Sequence, residues 1–527
     1  MNTLGIALQR AACVCSFSLH HLLTEPRSFV QKIAQRFDRT APWMQHLAAP
    51  GQSVYIDGQL YVNNAGTWER KTSLVREGIG RVVTRLVNGG EAAGREAASI
   101  IESPTAHQNA GRGATVAYVL TNSLPFTQSG YSLRSRAIMD MYERMGMRVR
   151  GITRLGYPLV IGHLHFPIDD ARHNVSRLVG WRYPWSEKKR AEYAAELLVE
   201  KARDMQATVL HTTTPYANAQ VVSCAARQLG IPWIYEMRGL AQDTWLSRMP
   251  AELAEVAAGS EQYAHVWKQE VDAARKAAAV VCISQVIKNM LVAAGVDEEK
   301  IFVLPNGVEE QWLQRSYDVA ALRLELGWEP EREDTVYIGV ISALVGYEGI
   351  DLLIEAMQQV RKNIRLVIVG DGEEYHRLVD QVEALKLQDR IRFYGRVPHE
   401  EVWKYYAALD ALIIPRRDER VTRAVPPMKP LMAMACDKAI IASDLPALKE
   451  VTGGRAVYVE PGNTAALAQA IDDVQCFRHN AGSHHSVRPR DSTGSRDSTG
   501  LHSVAADNTW QRHEKLLSTV YEFLGQE

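Results

Sequence analysis

From Ala114 onward the chain settles into a pattern that few folds can accommodate. Short apolar runs are each followed by a turn and then by a stretch with apolar residues at helical spacing. Thr115-Val-Ala-Tyr-Val-Leu120 reads as a buried strand. After the Ser129-Gly130 turn come an amphipathic helix from Tyr131 to Met145 and a second strand from Arg148 to Thr153, which makes a β-α-β unit. Further strands are expected at Ala207 to His211, Pro232 to Glu236, Val280 to Ile283 and Ile301 to Leu304, with helices at Ala217 to Leu229 and Gln285 to Ala294. Strands joined through helical crossovers pair in parallel, so the order predicts a doubly wound sheet.

The same alternation restarts near Thr335. Val336 to Ile341 reads as a strand and Gly349 to Val360 as a helix, and Arg365 to Val369 as a strand closed by Gly370-Asp371-Gly372. Four more strands are expected at Ile391 to Tyr394, Ala411 to Ile414, Ala439 to Ala442 and Ala456 to Val459. Each sheet of this kind takes its ligand beyond the carboxyl ends of its strands, so two of them must face each other across a cleft. The turn Pro305-Asn306-Gly307 is a candidate edge of the linker between them.

The flanks read differently. Before residue 110, Phe29 to Phe37 and Leu74 to Val87 carry helical spacing, which predicts a mostly helical extension. Near the other end, Arg490-Asp-Ser-Thr-Gly494 repeats as Arg496-Asp-Ser-Thr-Gly500 in a Gly-, Ser-, His- and Arg-rich segment that cannot bury a core. Helical spacing returns from Trp510 to Glu527, which predicts a helix packed back on the body. The expected organisation is a helical extension at 1–110, an N-terminal α/β domain at 111–310, a C-terminal α/β domain at 311–475, an insert at 476–505 and a closing helix at 506–527. At 527 residues the chain exceeds one ordinary core.

Composition narrows the chemistry. A formal net charge of -1 offers no global attraction for nucleic acid, so any phosphate must be held by local cations. The six cysteines are scattered without a CxxC pair, which fits a reduced, cytoplasmic setting. No run of 18 uncharged apolar residues occurs, so no membrane span is expected, and a reversible peripheral contact with the membrane stays open. Neither a zinc-like spacing, a P-loop nor a glycosidase-like carboxylate pair stands out, and no cofactor or metal is expected. The cations that do cluster are Arg416, Arg417 and Lys429, which flank a turn entering a helix near Pro430. A helix start with adjacent cations suits a nucleotide diphosphate.

Taken together, Tyr347-Glu348-Gly349-Ile350-Asp351-Leu352-Leu353, Val369-Gly-Asp-Gly372, Gly395-Arg396-Val397-Pro398 and Lys429-Pro430-Leu431-x-Ala433-Met434-Ala435 resemble the retaining GT-B glycosyltransferases of family 4. Ser129-Gly130-Tyr131, His211-Thr-Thr-Thr-Pro215, Ile231 to Gly239 and Leu304-Pro-Asn-Gly-Val308 resemble the same group in the N-terminal half, especially a bacterial branch that builds surface glycans. The resemblance implies two facing Rossmann-like domains and transfer of a sugar from a UDP- or GDP-sugar to a glycan or lipid-linked acceptor. It also implies a front-face displacement that needs no carboxylate pair.

On that resemblance Lys429 and Arg416, with Arg417, would hold the donor pyrophosphate, whose charge grows as the glycosidic bond breaks. Arg396 and Val397 would border the nucleobase, and Gly130 would let backbone approach the phosphate. His211 would contact the sugar or acceptor, or else be a satisfied buried histidine. Glu236 and Arg238 would position the acceptor or form a structural ion pair, and Asn306 and Ser284 would border the cleft, with capping the competing role for Ser284.

Two departures bear on activity. Many relatives carry two glutamates eight positions apart in this region, the second on the ribose hydroxyls, and this chain has Ala424 and Met432 there. A methionine cannot accept two hydroxyl hydrogen bonds. The usual Arg and Lys of the glycine-rich turn correspond to Ala343 and Glu348, which shifts the phosphate charge onto Arg416, Arg417 and Lys429. The alternative reading is a non-catalytic relative that serves as a binding or scaffold protein beside an active transferase.

Overall fold

The computed structural model describes residues 53–56, 59–64, 67–71, 113–163, 165–328, 334–480 and 501–525. The stretches Phe29 to Phe37 and Leu74 to Val87 and both Arg-Asp-Ser-Thr-Gly repeats lie outside these residues. The described part of the leading segment is a three-stranded antiparallel sheet, β1 (Ser53–Ile56), β2 (Gln59–Asn64) and β3 (Thr67–Lys71), which lies in sequence between the two stretches of helical spacing. Its Ile56 is buried with Leu253 and Ala257.

The N-terminal lobe is built on β4 (Thr115–Leu120), β5 (Arg148–Thr153), β6 (Asp169–Asp170), β7 (Val175–Ser176), β8 (Val209–Thr213), β9 (Trp233–Met237), β10 (Ala279–Cys282) and β11 (Ile301–Val303). They run in the order β11-β10-β9-β8-β4-β5-β7-β6, parallel throughout except for the β6–β7 pair. All six residues of β4 are buried, as expected of a strand covered on both faces. Helix α1 (Gly130–Arg144) starts behind Ser129, whose side chain accepts the Ser132 N–H. Helices α2 (Glu187–Asp204), α3 (Tyr216–Leu229), α4 (Glu261–Lys276) and α5 (Gln285–Ala293) complete the covering layers that matter below.

The C-terminal lobe has β12 (Val336–Ile341), β13 (Ile364–Val369), β14 (Ile391–Gly395), β15 (Ala411–Ile414), β16 (Ala439–Ser443) and β17 (Val457–Val459), all parallel, in the order β14-β13-β12-β15-β16-β17. The order reverses between β12 and β15, and ligands of open parallel sheets bind at such a switch point. Two apolar cores cover the faces of this sheet, one centred on Leu409, Leu412 and Met434 and the other on Leu353, Ile368 and Ile413. The helices facing the site are α6 (Ile350–Ala356), α7 (Arg420–Ala424) and α8 (Lys429–Ala435). Beyond them come α9 (Thr464–Asn480) and α10 (Leu501–Asp507), the latter packed with Leu501 and Ala505 in the C-terminal core.

The last helix, α11 (Trp510–Leu524), returns to the N-terminal lobe. Trp510, Leu517, Val520, Tyr521 and Leu524 bury themselves beside Tyr142 and the underside of β4 and β10. Where it crosses, Val308 and Thr509 form a parallel bridge, so the linker and the returning chain lie side by side. Gly307 makes this possible, because a Cβ there would sit 2.7 Å from the Trp510 ring.

Candidate functional site

The site grows from three turns at the carboxyl ends of β12, β13 and β15. Gly349 has φ +68° and Gly370 φ +139°, and a Cβ would lie 1.9 Å from the Pro415 carbonyl at the first and 1.7 Å from the Ser342 carbonyl at the second. Only glycine lets these backbones meet, so residues 342–349, 370–372 and 415–417 are locked together.

At their centre is the Glu348 carboxylate. Its Oε1 accepts Arg416 Nη2 at 2.9 Å and its Oε2 accepts Arg416 Nε at 3.3 Å, and Lys429 Nζ lies 2.7 Å from the same Oε2. Lys429 Nζ also donates to Ser342 Oγ at 2.5 Å. Arg416 directs its remaining Nη1 to the Val425 carbonyl at 3.0 Å. Burial would raise the Glu348 carboxyl, yet the charges of Arg416 and Lys429 hold it down to about 2. Burial lowers the Lys429 ammonium to about 8 against the pull of Glu348. Two cations against one carboxylate leave a net positive charge at the switch point, and Lys429 keeps 19% of its side-chain surface there.

The expected trio of cations is therefore divided. Arg416 and Lys429 share one carboxylate, whereas Arg417 turns to Asp351 Oδ2 on the first turn of α6 at 2.5 Å and to the Gly346 carbonyl at 3.2 Å. Helix α8 has seven residues, so the charge is carried by side chains rather than by a long helix. Met432 is half-buried against the C-terminal core. Val397 packs against the same core, and Arg396 is exposed at the end of β14, with Nη2 3.5 Å from the Gln128 carbonyl of the opposite lobe.

The contacts between the lobes described here come from loops at the carboxyl ends of both sheets, so the lobes face each other as the β-α alternation predicts. Asn306 Nδ2 donates to the Pro426 carbonyl at 3.0 Å, and Ser284 Oγ donates to the Ala424 carbonyl at 2.8 Å while capping α5. Both roles considered for Ser284, cap and cleft border, are thus filled by one hydroxyl. Gly130 opens α1 opposite Met428, 3.7 Å from where its Cβ would lie. The half-exposed Tyr131 follows, its carbonyl accepting Arg238 Nη1 at 2.9 Å.

Below the N-terminal face of the cleft lies a buried network. Glu236 accepts Arg134 Nε at 2.7 Å, Arg238 Nη2 at 2.6 Å and the Tyr118 hydroxyl at 2.6 Å. Arg134 reaches on to the Leu304 and Pro305 carbonyls, both at 2.8 Å, and to Asn306 Oδ1 at 3.1 Å. Burial would raise the Glu236 carboxyl, but Arg238 and Arg134 hold it well below the usual carboxylate range. Of the two roles considered for Glu236 and Arg238, the structural pair is the one seen, since their side chains are 0% and 3% exposed.

His211 requires a correction. Rather than touching the sugar or acceptor, its side chain is fully buried, stacked on Tyr118 at 4.4 Å with Nδ1 2.8 Å from the Tyr142 hydroxyl. Burial lowers its imidazole to about 3, so it is neutral. The reason is the length of β8: the strand runs on to Thr213, so His211 lies in the middle of a fully buried strand rather than at an end that opens to the cleft.

Two members of these networks, Arg134 and Ser342, do not stand out in the sequence, and a third, Glu348, points the wrong way there. Arg134 is hidden in an amphipathic helix. Its signal is an arginine one turn after Ser129-Gly130, on the face that carries Ile138 and Met141 into the core. Glu348 reads in sequence as an acidic exchange that weakens a phosphate site. The lysine at 429 beside it is the counterpart of that exchange.

Two Rossmann-like lobes whose carboxyl-end loops meet, with cations at the switch point of the second, define the GT-B class of α/β proteins. Residues 327–475 match the family "Glycosyl transferases group 1" and residues 129–307 the family "Glycosyl transferase 4-like domain", together more than half of the chain. The chain belongs to the GT-B glycosyltransferases of family 4. Among curated relatives, a subunit of the phosphatidylinositol N-acetylglucosaminyltransferase of Arabidopsis thaliana is 34% identical over 126 residues, 23% of this chain and 26% of that protein. The alpha-monoglucosyldiacylglycerol synthase of Streptococcus pneumoniae is 22% identical over 265 residues, 48% of this chain and 58% of the relative. The chain thus spans about a quarter to three fifths of the length of these two relatives. Anabaena HepE in complex with UDP-glucose superposes with a TM-score of 0.56 at 18% identity, covering 78% of this chain and 100% of HepE, which supports the fold.

Proposed function

We propose that the protein is a retaining glycosyltransferase that moves a sugar from a UDP- or GDP-sugar to a glycan or lipid-linked acceptor in cell-envelope or exopolysaccharide assembly, at the cytoplasmic face of a membrane. The observation that carries this reading is the Lys429–Glu348–Arg416 cluster at the switch point of the C-terminal sheet. Lys429 meets the developing charge of the leaving diphosphate, Glu348 fixes where it stands, and Arg416 supplies the second positive charge behind it. The relatives whose names contain phosphatidylinositol and glucosyldiacylglycerol favour a lipid-linked acceptor here.

The test is calorimetric titration with UDP, GDP and a panel of nucleotide sugars, followed by turnover assays. Binding of one donor should raise unfolding stability by about 2.7 kcal/mol at ~100 times its dissociation constant. If no nucleotide sugar binds, and Met432→Glu restores none, the reading fails.

Met432 favours a second reading, a binding or scaffold protein that keeps the cleft but has lost the carboxylate for the ribose. Tight nucleotide binding without turnover on any acceptor selects it.

A further inference from the structure

Residues 177–186 leave the carboxyl end of β7, which is parallel to β5 and so emerges on the cleft side of the N-terminal sheet. Their base is firmly anchored. Arg177 is buried, donating to the Leu124 carbonyl and to Asp170 Oδ2, both at 3.2 Å, with its guanidinium 5.3 Å from the Phe126 ring. Tyr193 of α2 holds the tip, its hydroxyl accepting the Trp181 N–H at 3.0 Å, and a Cβ on Gly180 would lie 2.4 Å from that hydroxyl.

What this anchored loop presents to solvent breaks two local rules. Trp181 and Trp185 are each 51% exposed, although indole is among the costliest surfaces to leave in water. Lys188 and Lys189 are exposed in the first turn of the 18-residue α2, where the helix dipole disfavours cations, and Ser186 makes no side-chain cap. Arg182 is also exposed, and Glu187 is the one carboxylate between residues 181 and 190. Features that cost folding stability at one spot signal a surface kept for another purpose.

We propose that this loop and the start of α2 dock the N-terminal lobe on an anionic lipid surface, with Trp181 and Trp185 in the headgroup layer and Arg182, Lys188 and Lys189 against the acidic headgroups. Paired tryptophans flanked by cations match both halves of such an interface, the amphipathic depth and the charge. Docking there would bring the cleft side of the acceptor lobe to the membrane. It deepens the proposed use of a lipid-linked acceptor and rests on that reading for its purpose, although not for its detection.

The test is co-sedimentation of the full chain, without donor, with vesicles of equal parts phosphatidylglycerol and phosphatidylcholine, against pure phosphatidylcholine. The protein should prefer the anionic vesicles by at least about tenfold, and lose them in high salt. Trp181→Ala/Trp185→Ala and Lys188→Glu/Lys189→Glu should each weaken binding by about tenfold or more. Acyl-brominated lipids should quench tryptophan fluorescence, an effect removed by Trp181→Phe/Trp185→Phe, whose fold is checked by thermal unfolding. Equal binding to both vesicles, or variants that bind like the parent, overturns the proposal. Retained binding in the tryptophan variants that soluble polyglutamate displaces assigns the patch to an acidic protein and also overturns it. Turnover on a water-soluble acceptor, measured separately, tests the transferase reading whatever the vesicles show.

Discussion

Lys429 Nζ and a Glu348 carboxylate oxygen lie 2.7 Å apart, and the same carboxylate holds Arg416, so one buried acid sets the position of both cations at the switch point of the C-terminal sheet. The acid is the fulcrum of the site. Removing it leaves two positive charges without their partner, whereas removing Lys429 leaves an ion pair intact.

Glu348→Ala should therefore destabilise the fold by about 3–5 kcal/mol, because it strands a buried arginine. Lys429→Ala should cost far less stability and weaken donor binding by about ten- to a hundredfold. Urea unfolding and calorimetry on the two variants separate these effects, and equal losses of stability would contradict the assignment.

Donor affinity should depend on pH through Lys429. Its folded pKa of about 8 lies below the ordinary lysine value, so the ammonium proposed to meet the diphosphate is lost as pH rises through about 8. Binding constants should fall by up to about tenfold per unit above that pH. Lys429→Arg, whose guanidinium stays charged, should flatten the profile.

Met432→Glu should strengthen nucleotide binding by about ten- to a hundredfold if the ribose lies beside α8 as in the family, since a carboxylate there can accept both hydroxyls. Unchanged affinity for UDP and GDP would place the ribose elsewhere.

Acid should unfold the N-terminal lobe early. The His211 imidazole, held near 3 by burial, binds its proton more readily in the unfolded chain, so stability is lost as pH falls from about 6.5 toward 3. Glu236, held low by its two arginines, adds loss in the same direction below the usual carboxylate range. At full linkage His211 alone contributes about 1.4 kcal/mol per pH unit in that window, and His211→Phe should remove it. Chemical denaturation at a series of pH values measures the slope.

Much of the fold is legible in the sequence because parallel strands announce themselves. Val336 to Ile341 and Ala411 to Ile414 are uninterrupted apolar runs, and the structure has strands with these bounds. The two-residue strands β6 and β7 are not legible, since Asp169-Asp170 and Val175-Ser176 carry no periodicity and owe their pairing to β5. β1 to β3 sit in a leading segment whose strongest periodicity, on either side of them, is helical. Within the site, Lys429 and Arg416 can be picked out by their position before a helix. Glu348 can be named but not understood, because its role depends on a lysine 81 positions away that only folding brings to it. His211 misleads for the opposite reason: the apolar run Ala207 to His211 predicts a strand end there, but β8 continues to Thr213, which leaves His211 in mid-strand against Tyr118 and Tyr142.

The return of α11 has a consequence for how the chain is made. The N-terminal core around Tyr142 is completed by Leu517, Val520 and Leu524, which are synthesised after the sheets of both lobes. The first lobe therefore leaves the ribosome with an open apolar seam and closes only once α11 has emerged. A clone that stops at the linker should yield an aggregating fragment, and a peptide spanning α11 supplied in trans should rescue its solubility.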